Sequence, residues 1–265
     1  MASCAHCHPY DLQKIKQDAE TERKAKNIAC AASAHNAQGW NYNKSILETP
    51  TALCFAVHPQ MPALETAGAN VTVKSSLELL QELTYKKEPD AIGETGFDLF
   101  NSDYKETEKV QTMLFEEHLR LAILYDLPVV LHIRRAMQKV FLYSAQLKKI
   151  PAVVFHSFSG TAEDAQSLLR RGINAYFSFG TAILLNHKNA QEACSKTPLD
   201  RILFETDAPY QPLRGKDFSD YMTLYDVLQA AALIRSGIKS TTKEELERAS
   251  DLNFFTVYKK GLQNG

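Results

Sequence analysis

Eight histidines are scattered along this 265-residue chain, and five fall at or just beyond the ends of short β-branched and apolar runs. These are His6, His8, His58, His132 and His156. Two acidic residues take equivalent places: Glu94 closes the run Ala91–Glu94, and Asp207 lies just past Arg201–Glu205. Imidazole nitrogens and carboxylates hold Zn, Mn or related divalent ions while leaving positions open for water and substrate. On an extended segment His6 and His8 project from one face, two residues apart, which suits one ion. His132 and His156 end neighbouring runs and suit a second. Glu94 is placed to bridge the two ions, and Asp207 to ligate the first and accept a proton from water. Such a pair would draw the pKa of water from about 15.7 towards about 7, supplying hydroxide for hydrolysis at neutral pH.

Side chains so distant in the chain need a scaffold that gathers them. Eight runs read as strands: Cys4–His8, Asn27–Ser33, Ala52–Val57, Ala91–Glu94, Val129–Ile133, Ala152–His156, Ala175–Ser178 and Arg201–Glu205. Most are apolar on both faces, the pattern of a parallel sheet covered by helices. Helical patterns separate them. One runs from about Asp103 to Tyr125 with Val110, Met113, Leu114, Leu121 and Leu124 on its apolar stripe. Thr161…Asp164 and Thr242…Glu245 resemble capping boxes. Shorter helices are expected over Leu12–Lys26, Tyr42–Leu47, Lys74–Lys86, Arg134–Lys148, His187–Lys196 and Asp217–Ser236. This alternation predicts a single-domain (β/α)8 TIM barrel, an α/β fold spanning residues 1–265, with its chemistry at the C-terminal strand ends. Roughly sixteen positions lie at such ends, so chance would place about half of one histidine there, not five. No G-x-G-x-x-G or Walker sequence follows any strand, which removes the usual reason for an open doubly wound sheet.

Thirty basic residues against 31 acidic ones exclude a strongly basic protein that coats nucleic acid, though not a local basic groove. The longest apolar runs are far too short to cross a membrane. The first residues show no secretory signal, so a cytoplasmic protein is expected. Five cysteines, an odd number, argue against a disulfide framework. Cys4-x-x-Cys7-His8 matches a haem-attachment spacing that belongs to exported proteins. Strand alternation turns Cys4 inward with His6 and His8, and Cys7 to the opposite face, so the two thiols should share neither a metal nor a disulfide.

The motifs around the expected ligands resemble those of the TatD family of metal-dependent hydrolases and deoxyribonucleases, within the amidohydrolase superfamily. They are Ala5-His6-Cys7-His8-Pro9, Val57-His58-Pro59, Ile92-Gly93-Glu94-Thr95-Gly96-Phe97-Asp98, the stretch from Leu127 to Ala136, His156-Ser157-Phe158-Ser159-Gly160, and Leu203-Phe204-Glu205-Thr206-Asp207-Ala208-Pro209-Tyr210. The resemblance assigns His6, His8, Glu94 and Asp207 to one metal and Glu94, His132 and His156 to the other. It implies two divalent cofactor ions (Zn, Mn or Mg), with Asp207 and Glu94 catalytic, and hydrolysis of ester bonds, chiefly phosphodiesters in DNA. Cys4 stands where the family usually has Asp, which removes a carboxylate behind the first metal. Ser157 replaces a frequent Cys.

A phosphodiester also needs positive charge or N–H donors. Arg134 is the first expected phosphate contact and His58 the second, with Arg214 and Lys216 reaching further along the polymer. Phe97, Tyr210 and Phe158 are placed to stack on bases. Lys148-Lys149, Arg170-Arg171 and Lys259-Lys260 read as solubilising surface, and Trp40 as a cleft border or a packed anchor. The expected function is a metal-dependent nuclease acting on single-stranded or frayed DNA ends. A dinuclear hydrolase of a small ester, amide or aminoacyl ester is the alternative, and a non-catalytic metal-binding barrel the third reading. Neither a membrane nor an obligate protein partner is expected.

Overall fold

Runs apolar on both faces require cover on both faces, and the computed structural model shows it over the residues it describes, 1–237 and 241–258. The Lys259-Lys260 pair lies outside the described residues. Eight strands, β1 (Ala2–Cys7), β2 (Ile28–Ala34), β3 (Thr51–Phe55), β4 (Ala91–Asp98), β5 (Val129–Arg134), β6 (Val153–Phe155), β7 (Ala175–Phe179) and β8 (Ile202–Phe204), form one sheet in sequence order. Every neighbouring pair is parallel. At the mouth β8 meets β1: Asp207 N–H donates to the His6 carbonyl at 3.1 Å, and His8 N–H to that of Ala208 at 2.7 Å. The fold is a single TIM barrel.

Alternation along the strands divides the core in two. Ile28, Cys30, Phe55, Ile92, Leu131, Phe155 and Phe204 pack outward against helices. Ala5, Ala29, Ala31, Ala52 and Ala91 are among those packed on the other face. These small residues leave room for Phe254 of the last helix (Lys243–Val257) and for Tyr258, whose hydroxyl donates to the Ala5 carbonyl at 3.1 Å. A barrel interior filled by side chains is a packed core, not a pore.

Strand register is interrupted at two places, and both bear expected ligands. Cys4 pairs with Cys30 but Cys7 with Ala32, so the alternation of β1 breaks around His6. Gly93 pairs with Val130 but Thr95 with Leu131, so that of β4 breaks at Glu94. Such bulges re-aim a side chain without ending the strand. The first corrects the thiol expectation. Cys4 and Cys7 both join the outward layer with Cys30, and Cys4 does not face inward with the histidines. The Cys7 thiol is pushed up by burial and by hydrogen bonding to the Cys30 and Cys4 thiols, so the two sulfurs are neighbours although all remain unbridged.

Glycines flank Glu94 because β5 passes too close for a side chain. A Cβ on Gly93 would lie 2.5 Å from that of Val130; one on Gly96, at φ +136°, would lie 2.3 Å from the His132 carbonyl oxygen. Gly96→Ala is therefore expected to destabilise the fold by about 2–3 kcal/mol. A urea unfolding midpoint equal to that of the parent would contradict this.

Both capping boxes form, at Thr161 with Asp164 and at Thr242 with Glu245. The long helix departs from expectation. It breaks into Ser102–Glu106 and Glu108–Tyr125, and the first piece is capped by Asn101. Of the expected stripe Leu114 and Leu121 are buried but Val110, Met113 and Leu124 are exposed, and the buried face also carries Gln111, Phe115, His118, Leu119 and Ala122. Hydropathy alone misplaced part of that face because two of its members are polar and satisfied. Gln111 brackets the backbone of Asp98, accepting from its N–H at 2.9 Å and donating to its carbonyl at 3.1 Å. His118 Nε2 accepts from the Val57 N–H at 3.0 Å, and burial lowers its pKa to about 4, keeping it neutral. The expected Leu12–Lys26 helix is likewise two, Pro9–Ile15 and Ala19–Ala25, and that over Arg134–Lys148 is Met137–Leu142 and Ser144–Leu147. The helix expected from Asp217 begins at Thr223.

Candidate metal centre

β1, β4, β5 and the segments after β3, β6 and β8 deliver their polar residues to one point at the barrel mouth. Glu94 is the hub. Its Oε1 lies 3.0 Å from His8 Nε2 and 3.4 Å from His6 Nε2. Its Oε2 lies 2.7 Å from His156 Nε2, 3.2 Å from His132 Nδ1 and 3.5 Å from His58 Nε2. Asp207 Oδ1 is 3.5 Å from both His6 Nε2 and His8 Nε2. Ligands bound at about 2.0–2.2 Å to a shared ion stand roughly 3–3.5 Å apart, so this donor set fits divalent metal on either side of Glu94. Three compatible triads overlap here: His6, Glu94 and His156; His6, His8 and Asp207; and His58, Glu94 and His132. All six residues expected as ligands are brought together. His58, expected at a phosphate, stands among them.

The far sides of the imidazoles show residues to which the sequence reading gave no role. Ser33 Oγ lies 3.2 Å from His6 Nδ1, Glu205 Oε1 3.3 Å from His156 Nδ1, and Asp98 Oδ2 3.1 Å from His132 Nε2. Gln60 Nε2 donates to that Asp98 oxygen at 2.7 Å. Partners of this kind fix the tautomer and aim the opposite nitrogen inward. His132 thus presents Nδ1 to the centre, and the other histidines present Nε2. Asp98 carries its own signal, lying four residues after Glu94 in the same strand, and Glu205 stands two before Asp207. Asp207 Oδ2 accepts from Gln211 Nε2 at 2.6 Å, and the same amide donates to Ser157 Oγ at 2.7 Å. Asp207, Ser157 and Gln211 all hold left-handed backbone, with φ of 52°, 46° and 53°. Clustered outliers of this sort mark a site whose surroundings over-determine it.

Burial disfavours every charge in this nest, yet the groups compensate one another. Burial pushes Glu94 upward, but the neighbouring imidazoles, His156 foremost, hold it well below the usual carboxylate range. Asp207 is likewise lowered against burial by its hydrogen bond from His8 and by the neighbouring imidazoles. Burial would depress His8, but hydrogen bonds to Asp207 and Glu94 raise it to about 10. Burial prevails at His58, which falls to about 4 despite Glu94.

A ligating imidazole must be unprotonated, so below pH 10 an ion has to displace the His8 proton. Metal affinity is expected to rise with pH by up to about tenfold per unit for each proton released. Without metal, a raised histidine stabilises the fold fully below its unfolded value of about 6.5, and loses that contribution as pH climbs through about 10. Chelated protein should therefore melt lower at pH 9 than at pH 6. Calorimetric titration in buffers of different ionisation enthalpy counts the protons; uptake at pH 7 with none released would contradict this electrostatic picture.

At the rim the expectations divide. Arg134 lies with its guanidinium 3.7 Å from the centre of the half-open Phe100 ring, and Nη1 is 4.0 Å from Asp98 Oδ2. Its side chain is 47% exposed and free to meet a substrate. Tyr210 is exposed beside His8, with ring centres 5.1 Å apart. Phe97 and Phe158 are not available to bases: both are buried, Phe97 against Phe115 and Phe158 against Phe177. Both belong to the apolar layer packed between the strands and the helices. Trp40 is a packed anchor against Phe55. Arg214 and Lys216 are exposed on the loop after β8.

The family described as TatD related DNase matches residues 5–259 of this sequence. The chain belongs to the TatD family. Among TatD relatives, the metal-dependent hydrolase YjjV of Escherichia coli K12 is 33% identical over 224 residues, covering 79% of this chain and 80% of its own. The 3'-5' ssDNA/RNA exonuclease TatD of Cronobacter turicensis is 38% identical over 210 residues, covering 76% and 78%. The crystal structure of YjjV superposes on this TatD chain with a TM-score of 0.80 and 27% identity, covering 97% of this chain and 98% of that one. The protein is thus a TatD-family metal-dependent hydrolase. Among the described residues no helix is long and apolar enough to cross a membrane.

Proposed function

We propose that this enzyme hydrolyses phosphodiester bonds near the ends of single-stranded DNA, using two divalent ions. His6, His8, Glu94 and Asp207 would hold one ion, and Glu94, His132 and His156 the other. The observation that carries this reading is Glu94, whose two oxygens face separate imidazole groups within 2.7–3.4 Å. The exonuclease named among the relatives supports the choice of substrate. Five buried free thiols suit a reducing compartment, consistent with action in the cytoplasm.

Divalent ions bound there would supply Lewis acidity to the phosphate and acidify water. The protein's own groups complete the reaction. Asp207, ionised at neutral pH and steadied through Oδ2 by Gln211, takes the proton of the attacking water at Oδ1. Water oxygen bonds to phosphorus, the bond to the leaving sugar oxygen breaks, and the proton passes to that oxygen. His58, kept neutral by burial, accepts from the Gln60 N–H at Nδ1 at 3.2 Å, so its Nε2–H is left as a donor for a phosphate oxygen without adding charge. Arg134 offers a fork of N–H donors to a phosphate oxygen.

The direct test is release of nucleotides from an end-labelled single-stranded oligonucleotide with Mg²⁺ or Mn²⁺, stopped by chelator. Hydrolysis of small esters without any action on oligonucleotides would overturn the nuclease reading. Arg134→Ala is expected to raise KM about tenfold with little change in kcat, and to lower the salt dependence of binding by about one charge. An unaltered salt slope would remove Arg134 from the phosphate path.

A further inference from the structure

A cavity of about 430 Å³ opens at the same end of the barrel as the metal centre, and no step above uses it. One wall, His35 to Gln38, follows β2; the other, Met61 and the segment from Asn70 to Leu79, follows β3. Both walls are tied to the site. The Met61 N–H donates to the His58 carbonyl at 3.0 Å, and Ser76 Oγ donates to the His35 carbonyl at 2.8 Å. Ligand atoms of His35, Asp11 and His8 all lie within 4.8 Å of one another, so His35 links the cavity to a residue of the metal centre.

The lining chemistry is selective. Asn36, Gln38, Asn70, Thr72 and Ser75 bring amides and hydroxyls, Met61, Val71 and Leu79 bring apolar surface, and no Asp, Glu, Lys or Arg takes part. A phosphate or carboxylate would find no countercharge there. A flat heterocycle with donors and acceptors on its edge and apolar faces would meet amides and hydroxyls at the edge and Met61, Val71 and Leu79 at a face. Its volume falls within the range of small-molecule sites.

We propose that this cavity binds the nucleobase of the nucleotide next to the scissile phosphate, making it a specificity subsite. The inference rests on the nuclease reading above, and its test separates the two. Full-length, metal-loaded enzyme is assayed on a thymidine oligonucleotide and on methyl p-nitrophenyl phosphate, an activated diester with no nucleobase. Ser75→Leu, at an exposed helical position, fills the cavity without adding an aromatic face or a helix breaker. It is expected to raise the oligonucleotide KM about tenfold or more, with kcat within threefold and the small diester unaffected. Asn70→Ala, in an exposed loop, removes one amide and is expected to raise that KM about threefold; it serves if the Leu variant does not fold. Unchanged oligonucleotide KM in the folded variants would overturn the subsite and leave the nuclease reading standing. Hydrolysis of the small diester without cleavage of any oligonucleotide would overturn both.

Discussion

Glu94→Gln is expected to lower turnover a thousandfold or more, on the order of 5 kcal/mol of transition-state stabilisation, and to reduce bound metal below two ions per chain. The size of the effect follows from its position. One buried carboxylate faces five imidazoles, four of them within 3.4 Å, and among the described residues no other acid touches both halves of the nest. The amide keeps the volume but loses the charge and half of the acceptor capacity. Removing one partner of a buried charge cluster leaves the remainder uncompensated, so metal-free His8, His132 and His156 should also lose part of their raised affinity for protons. Glu94→Asp is not expected to restore activity, because a side chain one methylene shorter cannot span both sets. Elemental analysis of purified protein alongside kcat decides the matter. A Gln variant holding two ions and working within tenfold of the parent would mean that Glu94 is no bridge.

Asp207→Asn should separate proton transfer from metal retention. Asparagine tolerates the left-handed backbone found at φ 52°, so folding is expected to survive. Its side chain keeps an oxygen for Gln211 or for metal, but it takes no proton. Turnover is expected to fall about 10²–10⁴-fold, the usual contribution of a positioned general base, with a smaller change in oligonucleotide KM. The sign of the pH effect is fixed by the lowered pKa of the parent carboxylate: its basic form is lost as pH falls, which gives the parent an acid limb that the variant should lack. A variant that keeps this limb, or most of its turnover, would place the base elsewhere. Measuring at saturating Mn²⁺ removes any contribution from weakened metal binding.

Much of the centre is legible before any coordinate because metal chemistry admits few residue types and a barrel admits them at few places. His6, His8, Glu94, His132, His156 and Asp207 could be read out for that reason, and their motifs occur in family order. Asp98, Glu205, Ser33 and Gln60 could not, although three of them lie beside or within quoted motifs. A carboxylate behind an imidazole looks the same in sequence as one on the surface; only the 3.1 Å from Asp98 to His132 distinguishes it. Part of the buried face of Glu108–Tyr125 was missed for a related reason. Gln111 and His118 are hidden because backbone groups of Asp98 and Val57 satisfy them, and those groups lie 13 and 61 residues away in sequence.

Local pattern by itself determined the eight parallel strands, the two capping boxes, and the amino-acid types gathered at the strand ends. Those depend on near neighbours, on side-chain period and on the demands of apolar burial. Which way each of those side chains turns was decided by the tertiary structure alone. Strict alternation puts Cys4 with His6 and Cys7 on the other side; the bulge against β2 puts both thiols outward together. A bulge arises from pairing with a second strand, and one inserted residue reverses every facing beyond it, so no reading of a single strand can reveal it.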